Sequence, residues 1–191
     1  MMAYIMHFYK KFSVLLGLMC WLLTAVAAES SLSVDYAALE LKEDAYVLNA
    51  AFSASFDEVI EEAIKKGVPL TFVIEFQIVE PRKYWFDDEV VTISKTVDLN
   101  YHALTRQYLV TRDGHQKSFE SLSEARLELA QVKDWKVVSK NQLEKNSRYQ
   151  AAILMRLDKS TLPKAIQVDS ISTDEWNLVS AVYRWPIKEL K

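Results

Sequence analysis

Between residues 80 and 89 the chain sets Arg82, Lys83, Tyr84, Trp85 and Phe86 in succession, followed by Asp87, Asp88 and Glu89. Trp, Tyr and Arg dominate binding hot spots because each joins a large apolar contact to a polar or charged tip. Arg82, Lys83, Tyr84 and Trp85 are therefore candidate binding residues. The competing expectation folds Trp85 and Phe86 inward to plug an open end of the fold, leaving Arg82 and Lys83 as solvated charges. A split is the third outcome, since alternate residues of an extended segment face opposite ways. The three acids suggest a hard cation such as calcium, but carboxylates adjacent in sequence do not converge on one ion without oxygens from elsewhere. They read as the solvated end of a loop.

Two further cations sit where apolar residues are expected. Lys95 is in phase with Ile93 and Val97, and Arg106 with Leu104 and Tyr108. A charge on an apolar face must reach solvent or find a partner. An ion pair with a carboxylate such as Glu75 is the expectation, with Arg106 intolerant of Ala and also a candidate ligand contact. His102 and His115 have no second histidine or cysteine at metal-ligand spacing, and no His-Glu-x-x-His or Gly-x-Ser-x-Gly string occurs. No metal, cofactor or catalytic residue is assigned. A hydrolase assembled from distant residues, for example His115, Asp113 and a serine, is the alternative, and His115 itself reads as a turn residue.

The elements that hold these residues are mostly strands. Leu70, Phe72, Ile74, Phe76 and Ile78 alternate along one segment, and Val91, Ile93, Val97, Leu99 and Tyr101 along the next. Residues 80–89 thus join what read as the two longest strands, at one end of a sheet where functional loops tend to sit. Similar rows are Tyr46 to Phe52, Tyr149 to Leu157, and Val179, Ala181, Tyr183 and Trp185. Arg112-Asp113-Gly114-His115 supplies a hairpin turn. Two helices are expected: one capped by Ser55-Phe56-Asp57-Glu58, with Phe56, Val59, Ile60, Ala63 and Ile64 on one face and Gly67 at its end. The other is capped by Ser121-Leu122-Ser123-Glu124, ahead of Ala125, Leu129 and Val132. One-sided alternation marks antiparallel sheets with one wet face. The fold class is α+β, an antiparallel β-sandwich or open barrel with two short capping helices.

At the start of the chain, Lys10 and Lys11 precede an apolar run from Phe12 to Leu23 and the small residues Ala25-Val26-Ala27-Ala28. That is the pattern of an export signal. Residues 1–27 are expected to be a signal peptide and 28–191 a single exported domain in the periplasm, touching the membrane only before cleavage. An uncleaved inner-membrane anchor is the alternative, although the run falls short of the ~20 apolar residues that span a bilayer comfortably. The net charge is −3, and losing Lys10 and Lys11 makes the remainder more acidic, so nucleic acid is not an expected partner. The one cysteine, Cys20, lies in the signal, which leaves no disulfide for the mature domain. With only Gly67 and Gly114 beyond the signal, Gly-rich phosphate loops are absent.

Several strings carry a resemblance: Lys66-Gly67-Val68-Pro69-Leu70, Glu80-Pro81-Arg82-Lys83-Tyr84-Trp85-Phe86-Asp87, and Ala103-Leu104-Thr105-Arg106-Gln107-Tyr108, continued by Leu157-Asp158, Leu162-Pro163-Lys164 and Trp176-Asn177-Leu178. Over nearly the whole mature chain the sequence resembles the exported proteobacterial family known only as a domain of unknown function, number four-three-nine-zero. The resemblance implies a signal peptide, one domain, and genes lying beside a membrane sensor kinase and its response regulator. It implies no reaction. Lys83 departs from the family pattern, where an aromatic is usual. The reading that follows is a non-enzymatic binding or accessory domain with a protein partner in the cell envelope, such as a sensor kinase; an envelope hydrolase is the alternative.

Overall fold

Alternating apolar residues become strands here because each strand buries one face only. The computed structural model describes residues 31–84, 86–144, 147–172 and 174–187, so the segment expected to be an export signal and Trp85 lie outside the described residues. In chain order the elements are β1 (Ser31–Lys42), β2 (Ala45–Ser55), α1 (Glu58–Lys65), β3 (Leu70–Glu80), β4 (Asp88–His102), β5 (Gln107–Arg112) and β6 (His115–Phe119). They continue with α2 (Leu122–Leu129), β7 (Gln131–Ser139), β8 (Gln150–Leu157), α3 (Lys164–Ser172) and β9 (Tyr183–Pro186). A six-stranded sheet, ordered β6-β5-β4-β3-β8-β9, faces a three-stranded sheet, ordered β1-β2-β7, and all the pairings are antiparallel. This is the expected α+β sandwich, with the sheets open rather than closed into a barrel.

The core forms between the two sheets. Leu70, Phe72, Ile74, Phe76 and Ile78 point inward from β3 with no exposed surface. Tyr46, Leu48, Ala50 and Phe52 of β2 and Ala151, Ile153, Met155 and Leu157 of β8 complete it. Phe76 sits between two indoles, 6.3 Å from the ring centres of both Trp135 and Trp185. Fully burying one such side chain contributes roughly 1.5–3 kcal/mol. β4 is the longest strand at 15 residues, but β1, with 12, exceeds β3, with 11; the loop after β3 therefore joins the longest strand to a shorter one than expected.

Local chemistry accounts for the helix ends. α1 starts later than the expected box, because Ser55 still pairs with Ser31 in the sheet and Asp57 takes the cap, its Oδ1 accepting from the Ile60 amide at 2.9 Å. Ile60, Ala63 and Ile64 are buried, whereas Val59 lies off that stripe and is exposed. Ser121 does cap α2, accepting from the Glu124 amide at 3.3 Å. The expected α2 face ends at Leu129: Val132 is buried as part of β7. α3 is a third helix, unanticipated because its apolar residues, as frequent as those of α1, are scattered around the helix instead of lining one face. The hairpin between β5 and β6 is as expected, with Asp113 (φ 51°) and Gly114 (φ 76°) both left-handed, the pairing that suits a two-residue turn.

The C-terminal row does not hold. Trp176, Leu178 and Ser180 are buried instead of Val179 and Ala181, and only Tyr183–Pro186 form a strand. Ser180 explains the reversal: its Oγ accepts from the Met155 amide at 3.0 Å and its own amide donates to the Met155 carbonyl at 2.8 Å. A hydroxyl paired in this way is buried without penalty, and the strand shifts phase before Trp185.

Candidate binding loop between β3 and β4

The loop leaves β3 at Glu80 and enters β4 at Asp88, with a bulge at Val90 just inside the pairing. Arg82 closes it. The Arg82 amide donates to Asp87 Oδ1 at 3.2 Å, and the guanidinium forms an ion pair with Asp88. Glu89 is approached by Gln77 Nε2 at 3.5 Å. Asp87 and Asp88 thus both turn toward Arg82 while Glu89 faces Gln77, and among the described residues no group of three His, Cys, Asp or Glu side chains is placed to hold a metal.

Folding Arg82 back onto the acids thrusts the aromatic tip outward. Tyr84 and Phe86 are each 86% exposed, and Lys83 Nζ stands 5.4 Å from the Tyr84 ring centre. A cation at that distance from an aromatic face is attracted by its quadrupole, which orients the pair. Phe86, carried by the segment but not singled out in the sequence, joins Tyr84 on the solvent side; the spacing of two in an extended segment was the available signal.

Arg106 does not join this site. It lies in the turn between β4 and β5, at the opposite end of a strand whose 15 residues span about 45–50 Å. The expected phase with Leu104 and Tyr108 fails because residues 103–106 turn, which leaves Leu104 92% exposed and Arg106 exposed at φ 56°. Since Ala at this position meets the same backbone conformation and removes no buried contact, Arg106→Ala should change stability by less than about 0.5 kcal/mol, measured by urea unfolding. A larger loss would show that the guanidinium has a partner in solution.

Lys95 keeps its expected inward phase, with a side chain only 17% exposed, but pairs with Asp113 at 2.6 Å rather than with Glu75. Register is the reason. Ile74, not Glu75, stands opposite Lys95, so Glu75 occupies the outer face, where it meets Arg156 at 2.8 Å. Lys95 also lies 5.7 Å from the Trp135 ring centre. His115 Nδ1 is 3.1 Å from the Asp113 carbonyl, as a turn residue would be. In the grouping of Asp113, His115 and a serine considered for a hydrolase, the His115 ring thus meets the Asp113 backbone carbonyl, while the Asp113 carboxylate faces Lys95. His102 Nδ1 lies 3.0 Å from Thr105 Oγ1 within the next turn.

A family model described as "Domain of unknown function (DUF4390)" matches residues 29–186. No curated protein and no solved structure matches the chain.

Proposed function

The chain belongs to the DUF4390 family of domains of unknown function, and we propose that it is an exported, non-enzymatic binding or accessory domain that engages a protein partner in the cell envelope through the β3–β4 loop. One observation carries this reading: Tyr84 and Phe86 stand almost fully exposed on a loop that Arg82 pins with Asp87 and Asp88. Exposed aromatic rings on a rigid support lose little conformational freedom when covered, which favours their use as anchors. Arg82 then acts by holding the loop, and Lys83 lies beside the anchor.

The compartment follows from the export pattern of residues 10–28. Among the described residues no helix is long and apolar enough to cross a membrane. The periplasmic portion of a membrane sensor kinase is the kind of partner proposed, since a pinned aromatic loop suits a rigid-body contact between folded domains.

The test pairs stability with phenotype. Tyr84→Ala and Phe86→Ala, singly and together, should leave the unfolding free energy within about 0.5 kcal/mol of the parent, because neither ring is buried. The double variant should fail to complement a deletion strain, and a photo-crosslinker at position 84 should lose its specific product when Phe86 is Ala. Full complementation by the stably folded double variant would overturn the proposal.

A further inference from the structure

The inner face of the larger sheet changes character at its β6 side, where the smaller sheet ends. Val97 and Val110 are buried there, but the next inward positions are Lys95 on β4, Arg112 on β5, and His115 and Lys117 on β6. The opposite wall is the end of α2 and the start of β7, an edge strand, with Glu128 and Lys133. Between the walls lies a cleft of about 280 Å³.

Its cations are held in place by the fold. The Arg112 guanidinium donates to the carbonyls of Gln131 at 2.5 Å, Glu128 at 3.1 Å and Leu129 at 3.3 Å. Burial pulls it below its ordinary pKa, against the opposing pull of Glu128 and Asp113. Lys133 is placed by a bulge. Val132 pairs with Ala50 and Trp135 with Leu48, so Lys133 and Asp134 together oppose Asn49. Asp134 is left-handed (φ 49°), its amide bound by Asn49 Oδ1 at 3.0 Å and its carboxylate paired with Lys42. Such a conformation is uncommon in a non-glycine residue and persists where surrounding contacts impose it.

The charges do not cancel. Asp113 is taken by Lys95 at 2.6 Å and Glu128 by Lys117 at 2.7 Å. Arg112 and Lys133 have no carboxylate within ion-pairing distance among the described residues, which leaves two surplus positive charges in a chain of net charge −3. We propose that this cleft is a binding site for a small phosphate-type dianion, either a soluble phosphate or phosphate monoester or the monoester headgroup of a lipid. Two surplus cations match two negative charges: the Lys133 ammonium is free to give charge-assisted hydrogen bonds to phosphate oxygens, while the Arg112 guanidinium, committed to three carbonyls, contributes chiefly its fixed charge. The volume, just below the usual range for small-molecule pockets, suits a phosphate with a small substituent.

Titration calorimetry of the purified protein with inorganic phosphate and with glycerol phosphate, alongside sedimentation with phosphatidic acid vesicles, tests the site and separates the two sources. Saturable binding in either arm is expected, weakened about tenfold or more by Lys133→Gln and unchanged by Lys136→Gln, an exposed lysine of β7 outside the cleft. Binding in the calorimeter assigns a soluble ligand, and binding to vesicles alone assigns the headgroup. No saturable binding in either arm up to about 10 mM phosphate overturns the proposal, as does equal weakening by the two lysine variants, which would signal a non-specific charge effect.

Discussion

Phe76→Ala should lower the unfolding free energy by about 3–5 kcal/mol in urea denaturation, the largest loss expected from any single truncation considered for this domain. Phe76 has no exposed surface and its ring meets Trp135 from the smaller sheet and Trp185 from β9. Removing it opens a cavity where the two sheets and the edge strand meet, and rigid indoles cannot collapse into the space. A domain of this size is stabilised by roughly 5–15 kcal/mol in total, and the described residues contain no cysteine to add a covalent link. The loss therefore consumes a large part of the margin. Tryptophan emission gives an independent readout, since Trp135 and Trp185 both lose a neighbour and the spectrum should shift to the red before any unfolding. A cost under about 1.5 kcal/mol with unchanged emission would mean that the ring does not join the sheets.

Arg112→Ala should cost about 2–4 kcal/mol, measured in phosphate-free buffer so that ligand binding adds nothing to the parent's stability. The guanidinium is the donor to three backbone carbonyls where α2 passes into β7. Helix C-terminal carbonyls need such partners, and a cation there also complements the helix dipole. Truncation leaves the carbonyls of Glu128, Leu129 and Gln131 without this donor, and the long stem no longer fills the space beside Val110. Arg112→Lys keeps the charge but not the planar fork, so most of the loss should remain. Recovery of full stability with Lys would show that charge alone matters at this junction. An Ala variant costing less than about 1 kcal/mol would show that water replaces the fork without penalty.

Much of the fold was legible because its signals are local. The alternation of Leu70 to Ile78 and of Tyr149 to Leu157 shows directly which side chains are buried, since period two admits only two faces and one of each pair is apolar. The Asp113-Gly114 turn was legible for a similar reason, as few residues tolerate two successive left-handed conformations. Where the reading failed, a long-range contact overrode the local pattern. Ser180 is buried because Met155, distant in sequence, pairs with it. Val132 joined β7 rather than α2 because β2 takes it as a partner opposite Ala50. Extending the β4–β5 alternation through residues 103–106 missed a turn that carries neither glycine nor proline, and so placed Arg106 on a face it does not share.

The candidate site divides in the same way. Composition alone singled out Arg82, Lys83, Tyr84 and Trp85 as a cluster rich in hot-spot residues. The spacing of two allowed Tyr84 and Phe86 to share a side, but that this side is solvent, and that Arg82 turns back to the acids, is decided by the closed loop. By itself the sequence determined the absence of glycine-rich phosphate loops, the antiparallel sheet class and the placement of Lys95 on an inward face, because each rests on neighbours within a few residues. Only the tertiary structure decided that Lys95 pairs with Asp113, that Arg106 lies at the far end of β4, and that Arg112 and Lys133 share one cleft. Those outcomes depend on which strands pair and where a bulge shifts them, and a single residue of register moves every side chain to the opposite face.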